Sequence, residues 1–137
     1  MSQENINLIN RIYREFNQRN YSAVLEFFDT NFEWIAADNS PLADRSPYHG
    51  LDKIREWVFN RIAAGTEKLI VDINEIFGAE NKVVMLGYYE SIYKLTSKQS
   101  RSQVAHVWTI TNGKVVKFQQ YLDTYQVAQN AQQAASS

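Results

Sequence analysis

From Glu67 onward the hydrophobic period of this chain changes from the 3.6-residue spacing of a helix to the alternation of a strand. Downstream of the switch, Lys68 to Phe77 places Leu69, Val71, Ile73 and Phe77 on one face. Lys82 to Leu95, Arg101 to Thr111 and Val115 to Leu122 are three further β-rich runs. Their joints are Gly78 to Asn81, Thr96 to Ser100, and the pair Asn112-Gly113, which supplies the positive φ that a type I′ hairpin turn needs. Helices followed by an antiparallel meander define an α+β chain, with helices packed on one side of a curved sheet.

Upstream, Ile6, Ile9, Ile12, Tyr13 and Phe16 form a helical stripe over residues 4–18. A short helix from Tyr21 to Phe28 follows, with Asn20 as N-cap and Val24, Leu25 and Phe28 on one face. Phe32 to Ala37 is expected as a strand, with Phe32, Trp34 and Ala36 on one side. Both prolines, Pro41 and Pro47, lie between Asp38 and Gly50, which reads as a loop. Leu51 to Ala64 returns to helical spacing, and a terminal helix is expected from Asp123 to about Ala134. A single domain spanning 1–137 is expected, without repeat or linker.

Composition removes several function classes. The chain has no cysteine, which excludes disulfides, thiolate metal sites and cysteine nucleophiles. Fourteen Lys and Arg stand against fifteen Asp and Glu, with no basic stripe, so the electrostatic footprint of a nucleic-acid partner is missing. The first residues lack a basic region followed by an apolar stretch, and no run of about 18 apolar residues occurs. A soluble, unprocessed, cytoplasmic protein without a membrane partner is the expectation. No glycine-rich phosphate loop, H-E-x-x-H or G-x-S-x-G occurs, and only two histidines are present, so no metal site or cofactor is expected. Aromatic residues make up 13% of the chain, enough for a core of rings or a pocket lined with them.

His106 lies mid-strand on the face of Val104, Trp108 and Ile110. It reads either as a buried, hydrogen-bonded residue or as a titratable group in a pocket. Asp123 sits where the last strand meets the terminal helix. With Gln126 three residues on it forms a capping-box-like pattern; the functional alternative is a general acid or base at the lip of the sheet. Strict alternation groups Asp123 with Val115, Lys117, Gln119 and Tyr121, away from Val116, Phe118 and Leu122. Trp34, Tyr48, Trp57, Tyr88, Tyr89 and Tyr93 supply rings from several elements, as core or as the wall of a cavity for an apolar molecule. Glu90 reads as an acid candidate or a solvated strand residue, and Asp38 as a residue at a cavity mouth or a turn former.

The order of elements, with Phe32-Glu33-Trp34, Tyr48-His49-Gly50, Val83 to Tyr89, His106-Val107-Trp108 and Gly113 through Thr124, resembles the SnoaL-like, ketosteroid-isomerase-related branch of the NTF2-like superfamily. That resemblance covers nearly the whole chain. It implies an NTF2-like cone: a strongly bent antiparallel sheet wrapped around three helices, with a terminal helix, one pocket and commonly a homodimer formed through the sheet. In similar polyketide cyclases a carboxylate before the last helix is the acid or base, a place Asp123 occupies. His106 matches its polar strand partner, and His106 or Tyr121 would stabilise an enolate. Trp34, Tyr48, Trp57, Tyr89, Trp108 and Gln119 are the expected ligand contacts. The resemblance thus implies cofactor-independent isomerase, cyclase or lyase chemistry on an apolar carbonyl compound. The alternatives are a non-catalytic module for an apolar ligand and a dimeric assembly module. The steroid isomerases' carboxylate–tyrosine pair and the epoxide hydrolases' Asp–Arg–Asp set have no counterpart here.

Overall fold

The chain begins with α1 (Ser2–Asn17), which has Glu4 in its first turn and Arg14 in its last, each at the end of the helix dipole that favours its charge. Its apolar stripe is buried at Ile9, Ile12, Tyr13 and Phe16. Arg19, at φ 62°, reverses the chain. The amide side chain of Asn17 then docks the helix end on the sheet. Its Nδ2 donates to the Val71 carbonyl at 3.1 Å, and its Oδ1 accepts the Val71 N–H at 2.9 Å. The computed structural model describes residues 2–129.

The short α2 (Tyr21–Glu26) stops before Phe28, which instead opens β1 (Phe28–Ile35). This departs from the expected helix through Phe28 and strand from Phe32. The reason is tertiary: Phe28 joins a parallel ladder opposite Val115, and its ring stacks on Phe32 at 3.9 Å between centroids. The following loop holds a 3-10 turn (Ala43–Arg45) and the two-residue β2 (Tyr48–His49), which pairs antiparallel with β1. The expected third helix is realised as α3 (Leu51–Ile54), a π-helical turn (Arg55–Phe59) and α4 (Asn60–Gly65) in direct succession.

The long strands β3 (Thr66–Ala79), β4 (Lys82–Tyr93), β5 (Gln99–Thr111) and β6 (Lys114–Leu122) complete one mixed sheet in the order β2-β1-β6-β5-β4-β3. Every pairing is antiparallel except β1 with β6. Asn112 and Gly113 take φ of 52° and 76° in the β5–β6 turn, as their pairing in sequence implies. The sheet is curled but not closed, and its inner face carries the helices. Residues 124–129 are helical; the rest of the expected terminal helix lies outside the described residues.

Bulges overturn two of the faces expected from strict alternation. The β3–β4 register shifts between Ile73 and Glu75, so Ile76 packs on the core and Phe77 turns outward with 44% exposure. On β6, Ile110 pairs with Val115 and Thr109 with Lys117, which leaves Val116 as the extra residue. Val115 and Phe118 are therefore both inside, and the inner face continues through Gln120 and Leu122. Gln119 and Tyr121 belong to the outer face. Among the described residues no helix is long and apolar enough to cross a membrane.

Candidate functional site

The curled sheet and the helices enclose a cavity of about 300 Å³. Its walls come from α1 (Ile12, Tyr13, Phe16), the inner faces of β1, β3, β4, β5 and β6, and the loop Ser40-Pro41-Leu42. Most of these positions follow from period alone, because each strand sends every second residue inward. The lining is dominated by apolar side chains and rings. Among the described residues that line it, Arg61 is the one charged side chain and none is Asp or Glu.

Arg61 is committed to the loop. Its guanidinium donates to both carboxylate oxygens of Asp44 at 3.0 and 3.3 Å and to the Pro41 carbonyl at 3.1 Å. The hydrogen bond from Arg61 holds the Asp44 carboxyl below its usual range. Arg45 lies over the Trp57 ring at 3.7 Å, on the same loop.

One polar chain crosses the cavity wall. His106, 2% exposed, has each ring nitrogen 2.7 Å from a tyrosine hydroxyl: Nδ1 from Tyr13 on α1, Nε2 from Tyr89 on β4. Both ends of the chain are fixed donors. The Trp108 indole N–H donates to the Tyr13 oxygen at 2.8 Å, and the Gln120 amide N–H donates to the Tyr89 oxygen at 2.8 Å. The Gln120 amide cannot be turned round, since its Oε1 accepts the Ala37 backbone N–H at 3.1 Å. Burial, with no carboxylate to offset it, lowers the His106 pKa to about 3, so the imidazole is neutral at pH 7. Burial likewise raises the Tyr13 and Tyr89 hydroxyls, partly offset by the hydrogen bonds from Trp108 and Gln120, so both remain protonated.

The structure brings His106, Trp34, Tyr89 and Trp108 to this cavity. Trp34 lies against Phe118 at 4.1 Å between centroids. It does not bring the last-strand candidates there. Asp123 is exposed and its Oδ1 accepts the Gln126 N–H at 3.2 Å, a helix cap. Its N–H bonds to the Gln103 carbonyl, three positions along β5 from His106, an odd step that belongs to the opposite face. Tyr121 is 57% exposed, and the Gln119 side chain bonds to the neighbouring backbone. Tyr48 supports the wall from behind, its hydroxyl donating to the Leu42 carbonyl. Trp57 lies under Arg45, away from the lining, while Glu90 pairs with Arg101 at 2.7 Å on the outer face. Asp38 is an exposed turn residue.

Sequence reasoning missed Gln120 and the hydroxyl of Tyr13. The signal for Gln120 was an amide between Phe118 and Leu122 on the apolar face of β6. Tyr13 carried a weaker one, a phenol within a stripe of Ile and Phe. Among the described residues no group of three or more His, Asp or Glu side chains is arranged to hold a metal ion.

The chain belongs to the family of the SnoaL-like domain, whose model matches residues 9–118. The fold is similar to that of an NTF2-like protein from Burkholderia thailandensis, with 27% identity over 93% of this chain and 96% of that one and a TM-score of 0.85. TerC, crystallised with polyporic acid, is 20% identical over 94% of this chain and 98% of its own, with a TM-score of 0.83. A protein of ketosteroid isomerase-like fold from Catenulispora acidiphila, in complex with trimethylamine, is 18% identical over 90% and 92%, with a TM-score of 0.77. The last two likenesses concern fold alone. No curated protein matches the sequence.

Proposed function

We propose that this protein binds an apolar small molecule in the cavity between sheet and helices, as a binding module rather than an Asp123-dependent enzyme. The cavity itself carries the reading: about 300 Å³, walled by rings and aliphatic side chains, with a few hydrogen-bonding groups gathered at His106. Small molecules in TerC and in the Catenulispora protein lend support at the level of fold. Proton abstraction next to a carbonyl needs a base in contact with the ligand. Among the described residues the lining has no carboxylate, and His106 has both nitrogens engaged.

Tryptophan fluorescence during titration with a panel of apolar ligands tests this reading, since Trp34 and Trp108 line the cavity. Saturable quenching is expected, unchanged in Asp123→Asn. The same pair of proteins, incubated with enolisable ketones in deuterated water, is expected to exchange no faster than buffer. Exchange that Asp123→Asn abolishes would restore the isomerase or cyclase reading; failure of every ligand to bind would remove the pocket as a site.

A further inference from the structure

The hydrogen-bond chain through His106 contains more protons than contacts. A neutral imidazole brings one N–H, and Tyr13 and Tyr89 bring one O–H each, three protons in all. Among the described residues two contacts exist for them, Tyr13 to Nδ1 and Tyr89 to Nε2. Neither end of the chain absorbs the excess, because the Trp108 and Gln120 N–H groups both point inward as donors. Had either end been an acceptor, the count would balance. Neither tyrosine oxygen has a further partner among the described residues, so one hydroxyl hydrogen is left over, and both hydroxyls belong to residues of the cavity wall.

Two arrangements satisfy the count. With the proton of His106 on Nδ1, Tyr89 donates to Nε2 and Tyr13 holds the surplus. With it on Nε2, Tyr13 donates to Nδ1, Tyr89 accepts from both His106 and Gln120, and the surplus is on Tyr89. Tyr13 is enclosed, 3% exposed, its ring stacked on His106 and edge-on to Trp108. Tyr89 is only partly buried by its neighbours and stands on the same wall as Ser91 and Tyr93. We infer that Tyr89 directs a surplus O–H into the cavity, and that the ligand is an apolar molecule presenting an acceptor oxygen to that hydroxyl. This rests on the small-molecule reading above. It also makes ligand binding select one tautomer of His106, the Nε2–H form.

The test compares two ligands of one shape, 2-acetylnaphthalene and 2-isopropenylnaphthalene, which differ by C=O against C=CH₂. By calorimetry the ketone is expected to bind the wild-type protein about tenfold more tightly, the effect of one hydrogen bond. That ratio should fall to about one in Tyr89→Phe. It should fall equally in Gln120→Glu at pH 8, where the new carboxylate accepts the Tyr89 proton and the surplus disappears with every hydroxyl still present. In the ketone complex of the wild type, ¹⁵N spectra should show His106 with a protonated Nε2 and a bare Nδ1. Equal binding of the two ligands to the wild type overturns the inference while leaving the pocket in place, as does an Nδ1–H or doubly protonated His106 in the complex. A preference that survives both substitutions overturns it as well. Binding of neither naphthalene removes the pocket reading, and the inference with it.

Discussion

His106 is kept neutral by its surroundings, and that has a consequence for stability. Among the described residues the groups that face it are the Tyr13 and Tyr89 hydroxyls and the rings of Trp108 and Phe118, none of them a carboxylate or a cation. Its folded pKa, about 3, lies below the ordinary value of 6.5, so between those limits the unfolded chain takes up a proton that the folded chain refuses. Stability from this residue is complete above pH 6.5 and is lost as pH falls toward 3. From pH 7 to pH 4.5 the wild type is expected to lose about 2–3 kcal/mol more than His106→Gln, read from urea unfolding at each pH. Equal slopes for the two proteins would mean that the imidazole is charged or solvated in the fold. The face of His106 was legible in the sequence, because strand period assigns it to the side of Val104, Trp108 and Ile110. Its partners were not, since Tyr13 comes from a helix 93 residues away and Tyr89 from another strand. Asp123 illustrates the converse. Its capping pattern with Gln126 was visible, but the face of β6 it belongs to depended on the extra residue Val116, which no local pattern announces.

Elements meet in this fold at points where a single side chain or its absence decides the fit. Asn17 joins α1 to β3 by pairing with both backbone groups of Val71, as an added strand would. Asn17→Ala leaves that N–H and C=O without partners in a half-buried joint. It is expected to destabilise the protein by roughly 2 kcal/mol, visible as a lower urea midpoint at unchanged m-value. Gly87 acts through what it lacks. A Cβ there would stand 2.1 Å from the Asp72 carbonyl oxygen on β3, so β3 must move aside before any other residue fits. For Gly87→Ala the expected cost is about 1–3 kcal/mol, with amide exchange accelerating in β3 and β4 ahead of α1. The four long strands and their hairpins were legible because alternation and the Asn112-Gly113 turn are local signals. The start of β1 was not. Phe28 has helix-compatible neighbours on one side, and only the distant ladder partner Val115 draws it into a strand. The π-helical turn at Arg55–Phe59 is likewise invisible to a 3.6-residue stripe, which it shifts without breaking.

At the scale of the whole molecule, the inner side of the sheet is filled by helices and cavity, and its outer side is left with an apolar row. Cross-strand neighbours Phe77, Val84 and Val107 run from β3 to β5, and beside them Leu86, Ala105 and Tyr121 run from β4 to β6. Phe77, Leu86 and Tyr121 are 44%, 37% and 57% exposed, more ring and aliphatic surface in one place than a sheet facing water needs. A second copy is the occupant we propose, since a two-fold axis through such a face pairs the same patch on both copies and requires no other partner. Charge frames the row. Arg101, Glu90 and Asp72 form ion pairs at 2.7 and 3.1 Å at one end, and Lys117 and Glu33 lie 3.9 Å apart at the other, a polar rim around an apolar centre. Leu86→Glu sets a carboxylate in the middle of the row, where it would be buried without a counter-charge in such a pairing. Sedimentation equilibrium at micromolar concentration is expected to return a dimer for the wild type and a monomer for Leu86→Glu. The cavity lies on the other side of the sheet, so the variant should retain ligand-induced tryptophan quenching. A monomeric wild type would leave the outer row free for a different protein. A variant that loses both dimer and ligand would tie the shape of the pocket to the assembly, because the strands that carry His106 and Tyr89 on one face carry Ala105 and Leu86 on the other.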